Sequence, residues 1–70
     1  MTSETEMQMV QRHVREGAAI LLRQTAIVAG LEKAGNDATM AEILLESFEA
    51  IQDEHIAHLA RITERDRKLK

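Results

Sequence analysis

The sequence predicts an all-α protein: an antiparallel two-helix hairpin that pairs with a second copy into a four-helix bundle. Three observations carry this. Two long stretches free of proline repeat apolar residues three and four apart, the spacing of one helical face. Between them Gly35-Asn36-Asp37 joins a helix stop to a helix start. The apolar face of the first stretch is also wider than one neighbouring helix can cover. Residues 1–70 form a single domain, since a chain this short cannot support two cores.

Helix 1 is expected over about residues 4–34. Ser3 with Glu6 has the spacing of a capping box, and only Gly17 and Gly30 interrupt the stretch. Met7, Val10, Val14, Gly17, Leu21, Gln24, Val28 and Leu31 mark its inner stripe. Met9, His13, Ile20 and Ile27 widen that face to roughly half the circumference. Residues 35–38 form the turn, Gly35 taking the left-handed conformation that ends a helix. Asp37 or Thr39 caps helix 2, Thr39 with Glu42 as a second capping box. Helix 2 then runs over about residues 39–66 and frays through Lys70. Leu44, Phe48, Ile51, His55, His58, Ile62 and Leu69 draw its stripe, with Leu45 and Leu59 beside it. Glu42, Glu46, Glu49 and Asp53 lie opposite as a solvated face. Each helix is about 45 Å long, and so short a turn favours antiparallel packing. Two helices leave an apolar band exposed, and small domains without disulfides often oligomerise. A two-fold dimer is the simplest cover.

Composition narrows the function. There is no cysteine, hence no disulfide framework or thiolate chemistry. A formal charge of −3 and a single aromatic residue, Phe48, argue against nucleic acid as the partner. No apolar run approaches the roughly 18 residues of a membrane span, and the acidic N-terminus is unlike a signal peptide. Ser3 and Ser47 sit in no nucleophile motif and there is no glycine-rich phosphate loop, so no catalytic residue is assigned. Arg61, Arg65, Arg67, Lys68 and Lys70 complement the dipole at a helix C-terminus. Met7, Met9 and Met40 read as apolar fillers.

Polar residues in the apolar stripes are the feature with chemical content. If the chain turns about Asn36, facing residue numbers sum to about 72. Gly17 then faces His55, Val14 faces His58, and His13 comes level with Leu59, with Glu16 and Glu54 at the edges. Besides histidines simply exposed to solvent, two readings stand side by side. In one, the histidines form a buried polar layer that fixes register, as Gln24 does opposite Phe48. In the other, His13, Glu16, Glu54, His55 and His58 bind a transition metal such as Zn²⁺, Fe²⁺, Ni²⁺ or Cu²⁺. The Glu-x-x-His pattern of di-iron bundles is absent, Gln52 and His55 standing three residues before the two histidines. The residues expected in the core or dimer interface are Val10, Val14, Leu21, Gln24, Val28, Leu31, Leu44, Phe48, Ile51 and Ile62.

His13-Val14-Arg15-Glu16, Arg23-Gln24 with Ile27-Val28, the Gly35-Asn36-Asp37 turn, Leu44-Leu45, Phe48, and the pair His55 and His58 resemble short α-helical-hairpin proteins of rhizobia and related α-proteobacteria. The likeness covers roughly residues 13 to 62, and Asn36 departs from it where those proteins often carry histidine. The resemblance implies a bacterial cytoplasmic hairpin and transfers no activity or site. The expected function is therefore a non-enzymatic homodimer acting by protein association, as a scaffold or regulatory adaptor with no cofactor. The alternative is a His/Glu metal-binding bundle.

Overall fold

The computed structural model describes residues 3–69 and contains two helices, α1 (Glu6–Lys33) and α2 (Thr39–Lys68). They pack on one another as an antiparallel hairpin of 55 × 27 × 13 Å. The smallest dimension is close to the roughly 10–12 Å diameter of one helix with its side chains. The hairpin is thus one layer thick, and each helix has one neighbour.

α1 begins two residues later than the Ser3–Glu6 box requires. Thr5 is the N-cap: its hydroxyl accepts from Gln8 N–H at 3.1 Å, and Gln8 Oε1 accepts from Thr5 N–H at 2.9 Å. The same spacing occurs twice in succession, and the Thr5 box leaves Glu4 free to pair with Arg12 at 3.0 Å. At the other end Gly35 has φ +74. Gly35 N–H reaches Glu32 O at 3.0 Å and Asn36 N–H reaches Leu31 O at 2.9 Å, the paired bonds of a Schellman turn. Gly35 is suited to that φ because it has no Cβ.

The Thr39–Glu42 box does not form. Thr39 is the first helical residue, and its N–H and hydroxyl both donate to Asp37 Oδ1, at 2.9 and 2.6 Å. These bonds hold the Asp37 carboxyl below its ordinary range, the hydroxyl bond foremost. α2 continues two residues past Asp66, supported in its last turn by Arg67–Glu64 at 2.6 Å and Lys68–Glu64 at 3.9 Å. The expected fraying at Lys70 lies outside the described residues.

The α1 stripe is inward-facing throughout, from Met7 to Leu31. The α2 stripe is rotated from the expected one. Its seam is Ala38, Ala41, Leu45, Phe48, Gln52, His55, Leu59 and Ile62, with alternating steps of three and four. Leu44 and Ile51 lie beside the seam at 46% and 49% exposure, and Leu69 at 79%. Glu42, Glu46, Glu49 and Asp53 are exposed. Val10, Val28, Ala38 and Ile62 form the most buried apolar set, joined by Gln24 and Gln52.

Axial register also differs from expectation. Gln24 Nε2 donates to Ala41 O at 2.9 Å and Gln52 Nε2 to Val14 O at 2.8 Å. These pairs give sums of 65 and 66, well below 72. The reason lies in the turn: residues 36–38 are not helical and can each span up to about 3.3 Å, against 1.5 Å in a helix. α2 therefore starts well below the end of α1.

Candidate functional site

Gln52 enters the seam because α1 leaves it a notch. A Cβ built on Gly17 would overlap Gln52 Oε1. Only hydrogen fits there, and the amide lies against the Gly17 backbone while Nε2 bonds the Val14 carbonyl. Gly17 thus receives Gln52, not the expected His55.

His55 stands one turn further along α2 and meets His13, with ring centroids 5.2 Å apart and planes tilted by 34°. Beside them opens a cleft of about 100 Å³ lined by His13, Glu16, Gly17, Ile20, Phe48, Ile51, Gln52 and His55. Among the described residues His55 Nδ1 and Gln52 Oε1 are buried with no hydrogen-bond partner. Buried polar atoms are normally paired, so both retain capacity for a ligand or a neighbour. Glu16 reaches the cleft from helix 1, with Oε1 held by Arg12 at 3.2 Å.

Of the three imidazoles expected near one level, His13 and His55 meet, and His58 lies one turn further along α2 with its side chain 40% exposed. His58 sits level with the start of α1, its Nε2 4.0 Å from Glu6, which also pairs with Arg65 at 2.8 Å. Glu54 shares a shallow groove with His55, Ala57, His58 and Arg61. Among the described residues no group of three His, Asp or Glu side chains is placed to hold a metal ion. Gln24, expected opposite Phe48, instead bonds the Ala41 carbonyl. At the far end of α1, Arg12 holds the Glu4 carboxyl below its ordinary range, chiefly by their hydrogen bond.

The two flanks of the hairpin differ. On one, the row His13, Ile20, Ile27 of α1 runs beside the row Leu44, Ile51, His58 of α2, each at seven-residue spacing. One cleft joins Ile20 to Ile51, and a second joins Ile27 to Met40 and Leu44. Ile20, Ile27, Met40, Leu44 and Ile51 are 39%, 44%, 75%, 46% and 49% exposed. The rows on the other flank are Gln11, Ala18 and Thr25 against Glu42, Glu49, Ile56 and Thr63, mostly small or polar. Sequence reasoning reached the width of the α1 face but put Leu44 and Ile51 in the seam. The uninterrupted three-four spacing through Ala41, Leu45, Phe48, Gln52, His55, Leu59 and Ile62 is the signal that identifies the true one.

Among the described residues no helix is long and apolar enough to cross a membrane. No family model, curated protein or solved structure matches the chain.

Proposed function

We propose that this hairpin works by association: a non-enzymatic homodimer that serves as a small scaffold or adaptor for a further protein, in the bacterial cytoplasm as the resemblance implies. The apolar flank carries the reading. At roughly 200 Å² for a fully exposed large aliphatic residue, its five members, 39–75% exposed, present about 500 Å², near the top of the range for a monomer's largest patch. Among the described residues no third element covers it. Sedimentation equilibrium at about 100 µM is expected to give twice the 7.9 kDa chain mass. A monomer at that concentration would refute the proposal.

A second reading is favoured by the 5.2 Å His13–His55 pair and the unpartnered His55 Nδ1. Two imidazoles from facing helices would give Zn²⁺ or another transition metal two nitrogen ligands, and Glu16 lines the same cleft as a carboxylate. Native mass spectrometry with a metal scan tests it: one ion per chain, lost in His13→Ala and His55→Ala, supports the site. Equal uptake by wild type and both variants would refute it.

A further inference from the structure

The arrangement of residues on the apolar flank specifies how a second copy sits there, an inference that rests on the homodimer reading above. We propose that the two hairpins are related by a two-fold axis crossing both helices at the level of Ile20. α1 then lies antiparallel on the partner's α1, α2 lies on the partner's α2, and the two turns point to opposite ends.

Three patterns invert about that one level. In the row His13–Ile20–Ile27 the inversion places Ile20 against its own copy and Ile27 against the partner's His13. In the neighbouring row it places Leu44 against the partner's Ile51, provided the axis passes α2 midway between them, near residues 47 and 48. The glutamine bonds, with the His13–His55 and Gly17–Gln52 contacts, give facing sums from 65 to 69. Ile20 is therefore level with residues 45 to 49, and the two rows share their centre. The third pattern is charge. Glu16 and Arg23, seven apart on α1 at the outer edge of this flank, are placed symmetrically about residues 19 and 20. Inversion brings Glu16 to the partner's Arg23 and Arg23 to the partner's Glu16. Arg23 has no ion pair among the described residues, and Glu16 engages one oxygen with Arg12.

The other two-fold stacking has its axis along the helices and lays α1 on the partner's α2 at equal levels. It sets Glu16 between the partner's Ser47 and Glu54, a like-charge approach. It leaves Arg23 beside Ser47 and Met40 of the partner subunit without a carboxylate, and gathers the histidines of both copies at one end. Charge complementarity selects the crossing axis. The flank's area suits a second copy as well, since about 500 Å² of aliphatic surface plus its polar rim approaches the roughly 800 Å² per partner of a stable interface.

The chain has no cysteine, so single-cysteine variants report proximity without interference. Under mild oxidation Ile20→Cys is expected to form a disulfide-linked dimer. Ile27→Cys alone is expected to stay unlinked, whereas an equimolar mixture with His13→Cys cross-links. Linkage of Ile20→Cys to Ser47→Cys in place of itself, or self-linkage of Ile27→Cys, would overturn the arrangement. Charge reversal gives a measurement that leaves the seam intact. Glu16→Arg and Arg23→Glu should each raise the dimer dissociation constant by at least about threefold, two symmetry-related exposed pairs being lost at once. The double variant should return to within about twofold of wild type. Unchanged constants in both single variants refute the proposed axis. A wild-type chain that sediments as a monomer refutes the association reading itself, while a dimer with the wrong linkage pattern refutes only this arrangement.

Discussion

Replacing glycine by alanine is expected to have opposite signs at two positions of the same helix. Gly17 and Gly30 both lie within α1, where alanine is favoured over glycine by about 0.8–1 kcal/mol. Around Gly30 a Cβ would meet nothing within 4 Å, so Gly30→Ala should stabilise by about that amount. At Gly17 the same Cβ overlaps Gln52 Oε1. The amide must move, and its bond to Val14 O, worth about 1 kcal/mol net, is lost. Leaving the 6%-exposed Gln52 amide unpaired adds about 1–3 kcal/mol. Against the propensity gain, Gly17→Ala should destabilise by about 1–3 kcal/mol. Urea unfolding followed by circular dichroism at fixed protein concentration measures both, the fixed concentration being required wherever assembly contributes. In a Gln52→Ala background the notch is empty, and Gly17→Ala should become stabilising, as at Gly30. If Gly17→Ala stabilises the wild-type chain as much as Gly30→Ala does, Gln52 does not occupy the notch and the register argued from it is wrong.

The remaining stability predictions concern the seam and the turn. Ile62→Ala, at a position 3% exposed, should destabilise by about 2–5 kcal/mol, and exposed Glu46→Ala by less than about 0.5 kcal/mol; equal effects in denaturant titrations would contradict the observed seam. Asp37 has its folded pKa depressed by the Thr39 bonds, so its contribution is present above its unfolded value near 4 and is lost as pH falls through the folded one. The stability difference between wild type and Asp37→Asn should therefore shrink between about pH 5 and pH 3, and a difference constant over that interval would refute the capping role.

The turn was legible in the sequence because Gly35-Asn36-Asp37 combines a residue suited to φ +74 with a carboxylate that can reach the next helix start. The α1 stripe was legible because its three-four spacing runs unbroken from Met7 to Leu31, with Gln24 and Gly17 its only members that are not apolar side chains. The α2 seam was not, because choosing its most apolar residues selects Leu44 and Ile51 and omits Gln52. Glutamine reads as a surface residue until its partner is considered. Gly17, inside the facing stripe, removes one side chain's volume and exposes a backbone carbonyl at Val14, which together accommodate an amide better than an aliphatic side chain. The histidine pairing failed to be legible for a different reason. It depends on axial register, and register depends on how far residues 36–38 carry the chain back along α1. A displacement of about one helical turn replaces the expected Gly17–His55 and Val14–His58 neighbours with Gly17–Gln52 and His13–His55.

That dependence links the seam to the surface. The Gln24–Ala41 and Gln52–Val14 bonds lie ten residues apart on α1 and eleven on α2, so they must shift together if the helices slide. An apolar seam alone tolerates a slide of one heptad, since aliphatic side chains then face aliphatic side chains again. Such a slide would remove Gln52 from Gly17 and strand both amides against unsuitable neighbours. It would also move Leu44 and Ile51 by about 10 Å along α1, away from the level of Ile20. The flank would keep its apolar residues but lose the common centre about which its two rows and its charges invert. The buried amides, which contribute modestly to stability as single hydrogen bonds, thus set the axial position on which the proposed contact between copies depends.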